Sequence, residues 1–178
     1  MANIDNPNGF RPYNNPHGGS GQPTITYHPL NSSNSEIGVG TPVAVVAGGV
    51  DRAAAESSSA LLGFAAEYKA ASDGGLIGVW SDPLQLFVAQ TDDGTGTATA
   101  AAAIGLNIDF TGTGVSNQRS TAELDESSAD TTATLPLKII DLSDEYQGNA
   151  RNAHGEFNRL VVKINNHQLQ GSTGTAGV

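Results

Sequence analysis

Leu135, Leu137 and Ile139 alternate with Pro136, Lys138 and Ile140, and Leu160, Val162 and Ile164 alternate with Val161 and Lys163. A period of two puts every second side chain on one face, which is the pattern of half-buried antiparallel strands. No stretch of the chain sustains the longer period of an amphipathic helix. Shorter apolar runs extend the same reading. Thr41–Ala47 is rich in β-branched residues, and Leu76–Trp80 and Leu84–Gln90 flank the turn signal Ser-Asp-Pro. Residues 103–110 (AIGLNIDF) supply a further strand, and residues 51–62 read either as a short helix or as a surface loop that ends in a strand, LLGFAAEY (61–68). Short strands separated by turn chemistry predict an all-β fold: a compact antiparallel β-barrel or sandwich with an extended N-terminal arm and long loops.

The arm is expected from proline placement. Five of the eight prolines fall within the first 29 residues: Pro7, Pro12, Pro16, Pro23 and Pro29. Proline has no N–H to give a ladder and restricts its predecessor, so this stretch predicts neither a helix nor a central strand. Yet Ile4, Phe10, Tyr13, Ile25 and Tyr27 recur through it as isolated apolar points. A plain linker has no use for such residues, whereas an extended arm docking on another surface uses them as anchors. The expected organisation is an arm over 1–35, a β domain over 36–170 and a loose tail over 171–178. Residues 111–134 read as a long exposed loop, and 145–158 as a polar connection.

Composition narrows the function. The formal net charge is −10, and the 8 Lys and Arg are scattered among 18 Asp and Glu, so a basic nucleic-acid-binding face is not expected. No apolar run reaches the roughly 20 residues of a membrane-spanning helix. The opening residues lack the basic and apolar regions of a secretory leader. There is no cysteine, hence no disulfide frame, thiolate metal site or cysteine nucleophile.

Catalytic and metal signals are weak. His17, His28, His154 and His167 form no local ligand pair, and Asp92-Asp93-Gly94 lacks the alternating ligands and terminal Glu of a calcium loop. Glu123, Asp125, Glu126 and Asp130 read as a solvated acidic loop. GTGTATAAAAIG (94–105) has no P-loop Lys, and GGSGQ (18–22) lacks the strand and helix of a nucleophile elbow. Neither an enzyme, a cofactor nor a bound metal is expected. Aromatic residues make up only 6% of the chain, and Trp80, Phe87 and Tyr146 are the candidates for a sugar-binding surface.

The opening MANIDNPNGFRP, then DPLQLFVAQ (82–90), STAELDESSADTTATLPLKIIDL (120–142) and RLVVKINNHQL (159–169) resemble the capsid decoration, or cement, proteins of tailed bacteriophages. The likeness is spread over most of the chain and includes no catalytic motif. It implies a β-rich virion protein on the outer capsid surface, binding the major capsid protein and itself as a homotrimer or dimer. Such a protein bridges neighbouring capsid subunits against the pressure of packaged DNA. It implies no membrane or nucleic-acid partner and no cofactor. On this reading Ile4, Phe10, Tyr13, Ile25 and Tyr27 are the interface contacts. The alternatives are another virion structural component, a carbohydrate-binding β-sandwich exposed on the particle, or a small hydrolase.

Overall fold

The computed structural model describes residues 3–13, 23–57, 59–92, 100–170 and 174–177. The fold is all-β, two antiparallel sheets packed as a sandwich rather than a closed barrel. The large sheet has six strands, in order β1 (Arg11–Tyr13), β7 (Leu86–Gln90), β15 (Arg159–Ile164), β12 (Leu137–Leu142), β8 (Asn107–Thr111) and β11 (Glu123–Asp130). The smaller has five: β2 (Ile25–Pro29), β6 (Leu76–Trp80), β5 (Gly63–Ala65), β3 (Pro42–Val46) and β4 (Gly49–Arg52). Two hairpins stand apart, β9 (Val115–Ser116) with β10 (Arg119–Ser120) and β13 (Tyr146–Gln147) with β14 (Ala150–Arg151). Among the described residues, helix is confined to a single 3-10 turn, Ala101–Ala103, and no helix is long and apolar enough to cross a membrane.

The alternating strands behave as their pattern demands. Leu137, Ile139, Leu160, Val162 and Ile164 all enter the core between the sheets. A bulge between Ile139 and Asp141 shifts the register of β12 against β15, so that Leu142 pairs with Leu160 and still packs on that core. A second core, Leu30, Ile37, Val43, Val50, Leu62, Ala65, Ile77 and Val79, belongs to the small sheet and the segment after β2. That sheet curls: Leu30, just past β2 at one edge, bridges Val50 of β4 at the other.

Four phenylalanines join the layers. Phe10 stacks on Phe64 of β5 with ring centroids 4.4 Å apart and planes 20° apart, and meets Phe110 of β8 edge-on at 6.4 Å. Phe64 in turn contacts Phe87 of β7 at 4.4 Å. Each is fully buried. Close backbone contact seats Phe10. Its N–H donates to the Gly40 carbonyl at 3.0 Å, and a Cβ on Gly40, which has φ 85°, would lie 2.8 Å from the Phe10 oxygen.

The described part of the expected arm is therefore woven into both sheets. Proline does exclude it from their centres, for β1 holds Pro12 and β2 holds Pro29, and both are edge strands. Phe10 corrects the expectation of an outward contact: it is 0% exposed, held in this chain's own core. Residues 111–134 are likewise no continuous loop, since they contain β9, β10 and the eight-residue β11. β11 was hidden because Leu124 is its only buried apolar residue, the rest of its pairing being made by polar side chains beside β8. The described residues of the segment 51–62 hold the end of β4 and a loop rather than a helix. Near the C-terminus, residues 174–177 are pinned rather than loose. Thr175 donates its N–H to Asn165 Oδ1 (3.0 Å), its carbonyl accepts from Asn107 Nδ2 (2.7 Å), and Lys138 Nζ donates to the Ala176 carbonyl (2.8 Å).

Replacing Phe10 by Ala removes a ring that touches both sheets, and about 3–5 kcal/mol of stability is expected to go with it in urea unfolding. The β9–β10 turn carries Asn117 (φ 49°) and Gln118 (φ 65°), both left-handed, as a two-residue type I′ hairpin turn requires. Gln118→Gly is expected to raise the unfolding midpoint, with a gain of about 0.5–1 kcal/mol.

Candidate functional site

The five residues expected to make contacts fall into three environments. Phe10 is internal. Ile4 and Tyr13 lie against the segment 144–148. The Ile4 N–H donates to Gln147 Oε1 (3.0 Å), and the Tyr13 hydroxyl donates to Asp144 Oδ1 (2.6 Å). That hydrogen bond to a carboxylate is the main reason the Tyr13 phenol is held above its ordinary pKa. Alongside, Arg11 and Arg159 share the Glu145 carboxylate at 2.7 and 3.6 Å, which fixes β1 to the loop preceding β13.

Ile25 and Tyr27 are different. They sit two apart on β2, so they share one face, and they are 44% and 63% exposed. Their cross-strand partners on β6 are Trp80 and Gly78, while Pro29 pairs with Leu76, itself 54% exposed. Gly78 matters here because it has no side chain. A Cβ there would stand 2.9 Å from Ile25 Cγ2 and 3.4 Å from Tyr27 Cε1, so the two side chains lean over β6 where another residue would hold them off. Ile25, Tyr27 and Leu76 thus form one apolar surface on the open-edge side of the small sheet, outside both cores. Antiparallel alternation also exposes backbone there. Leu30 donates its N–H to Gly75, so residues 26 and 28 share that inward hydrogen-bonding phase. Ile25 and Tyr27 therefore turn N–H and C=O outward, and Pro29, which has no N–H, occupies the same outward phase.

Other candidates resolve plainly. Glu123, Asp125, Glu126 and Asp130 line β11 instead of an exposed loop. Glu126 is buried, and Asp130 accepts from the Thr131 N–H and the Thr132 hydroxyl, which keeps its carboxyl below the usual range. Among the described residues no three His, Cys, Asp or Glu side chains are placed to hold a metal. Asp93, Gly94, His17 and GGSGQ lie outside the described residues. Of the aromatic candidates for a sugar surface, Phe87 is fully buried and Trp80 packs on the inter-sheet core, while Tyr146 is 69% exposed.

Sequence reasoning missed Gln90, a buried amide at the end of β7 on which Asp5, Asn6 and Glu123 converge. A polar residue closing an apolar run was the available signal. It also missed the β13–β14 hairpin, although Gly148-Asn149 is a two-residue turn signal and Gly148 takes φ 62°. Comparison of the chain with protein-family models, curated proteins and solved structures returns no match.

His167 is buried, with Nε2 3.0 Å from the Ser81 carbonyl, which can only accept, and with Nδ1 accepting the Leu169 N–H at 3.1 Å. Burial, the largest cause, depresses its pKa. A depressed histidine contributes stability that is complete above its ordinary value near 6.5 and is lost as pH falls through the lower folded value. Urea midpoints measured from pH 8 to 5 are expected to decline more steeply below about pH 6.5 in the native chain than in His167→Asn. Coincident slopes would assign the acid sensitivity elsewhere.

Proposed function

We propose that this chain is a structural protein of a tailed-phage virion. In this reading it binds the outer capsid surface and cements adjacent major capsid protein subunits, acting as a homotrimer or dimer and without catalysis. The observation that carries the reading is the exposed apolar surface of Ile25, Tyr27 and Leu76 beside an edge strand with outward backbone groups. Such an edge can take a partner strand through main-chain hydrogen bonds while its apolar side chains are covered. Covering them is favourable by roughly 25 cal/mol for each Å² removed from water.

Two further features agree with it. The likeness of the chain to decoration proteins covers the opening residues 1–12 and the segments that hold β7, β11, β12 and β15. The net charge of −10 suits the outside of a shell that encloses DNA. Repetition on a closed lattice makes modest contacts collectively strong, because a linked second contact is effectively intramolecular. A carbohydrate-binding reading has only Tyr146 among its expected aromatics on the surface.

The test is co-sedimentation with expanded, DNA-free capsids assembled from the major capsid protein encoded in the same genome. Deleting residues 2–30 would remove β1, β2 and Phe10 together, so point changes are the cleaner probe. The native chain is expected to saturate the particles. Ile25→Asp with Tyr27→Asp is expected to keep the unfolding midpoint and to weaken binding at least about tenfold, through loss of apolar contact and repulsion. A native chain that stays in the supernatant overturns the virion reading. A double variant that binds as the native chain does overturns the assignment of this edge.

A further inference from the structure

Residues 3–8 cross from the β13–β14 hairpin to the end of β7, held by polar contacts at each step. Asn3 donates its side-chain amide to the carbonyls of Ala153 (2.9 Å) and Glu156 (2.8 Å). Ile4 is tied to Gln147, and the Asn6 N–H donates to Gln90 Oε1 at 3.1 Å. The Gln90 side chain is buried, and its Nε2 has two hydrogens. Both are used on acids: Asp5 Oδ1 lies 3.1 Å away, and Glu123 Oε1 of β11 also lies 3.1 Å away. One buried amide thus holds two carboxyl groups from opposite sides, one on the N-terminal segment and one on a sheet strand.

We propose that residues 3–8 form a pH-responsive strap, closed over Gln90 while Glu123 is protonated and loosened when Glu123 and Asp5 are both ionised. The geometry puts like charges on two segments that the amide between them joins. The groups facing Glu123 are few. Asp5 comes from the strap and Asp92 from just beyond β7, both acidic, and its β8 partner Thr111 is uncharged, with its hydroxyl donated to Glu56. The described ion pairs are Arg11–Glu145, Arg159–Glu145 and Lys69–Glu67, and neither Asp5 nor Glu123 takes part. Burial first, then Asp5 and then Asp92 push the Glu123 carboxyl up to about 7, with the Gln90 amide pulling partly the other way.

The sign follows from that direction. A carboxyl with a raised folded-state pKa favours the closed form when protonated, so closure is complete at acid pH and is lost as pH rises from its ordinary value to about 7. The device rests on the strap and β7–β11 alone, so it stands or falls independently of any capsid contact.

The experiment is amide hydrogen exchange on the full chain, corrected for intrinsic rates, with carboxyl carbon shifts of Glu123 followed by NMR. Protection of the Ile4 and Asn6 amides is expected to fall at least about tenfold between pH 4.5 and 8, as opening that releases one pKa unit or more of the Glu123 shift implies. Protection of Ile139 and Val162 in the sheet centre is expected to stay constant, which separates strap opening from global unfolding. Glu123→Gln is expected to hold Ile4 and Asn6 equally protected across that range. Asp5→Asn is expected to lower the Glu123 titration midpoint. A Glu123 carboxyl that titrates like a free glutamate overturns the proposal. So does native-chain protection of Ile4 and Asn6 that does not change with pH, or that changes only in step with Ile139 and Val162.

Discussion

The stacked rings of Phe10 and Phe64 are the contact on which the rest of the molecule depends. Phe64 belongs to the small sheet, Phe110 and Phe87 to the large one, and Phe10 to the segment that precedes both. A sandwich of short strands has little area for holding its layers together. Large flat side chains supply it at low conformational cost, and paired rings add about 0.5–1.5 kcal/mol beyond the area they bury. Because Phe10 is in this group, residues 9–13 are fixed, β1 is aligned on β7, and Arg11 and Tyr13 arrive beside Glu145 and Asp144. Ordering of residues 9–13 thus starts from the packing of Phe10 in the core.

The two sheets treat their borders differently. β1 ends the large sheet and is covered by ionic and phenolic contacts to 144–145. The far side of β3 beyond β5 is closed by a side chain, since Gln168 accepts from the Val45 N–H and donates to the Val45 carbonyl as a strand would. Among the described residues β2 has no such device at Ile25 and Tyr27, and residues 23–30 include no Asp, Glu, Lys or Arg of the kind that usually guards an exposed strand. That contrast within one molecule is what gives the Ile25–Tyr27 edge its weight as a contact surface.

Legibility in the sequence followed how each strand is buried. β6, β7, β8, β12 and β15 could be placed because apolar side chains run along them, and the all-β class follows from those alone. β11 escaped because its inward positions after Leu124 include Glu126, a buried carboxylate that breaks the apolar alternation by which a strand is read. The apolar points before residue 30 looked alike in the chain but separate in space. Phe10 finds a slot made by Gly9, Gly40 and two distant rings, whereas Ile25 and Tyr27 lie over Gly78 and stay wet. Spacing alone picks out the apolar points; whether such a residue faces inward or outward is decided by partners 30 to 100 residues away. The Gln90–Glu123–Asp5 junction was illegible for the same reason, as its members come from three separate segments.

The place of β15 in the large sheet governs when the molecule can assemble. Residues 159–164 lie between β7 and β12, each of which is hydrogen-bonded to this strand. During synthesis the middle of the sheet therefore stays empty until residue 164 has emerged, after all five of its other strands. Asn3 then meets Ala153 across 150 residues of sequence. Such distant pairings fold slowly, because long loops must close before their contacts are gained. Until β15 inserts, β7 and β12 present unpaired borders, and the nascent chain is at its most prone to join with another copy of itself.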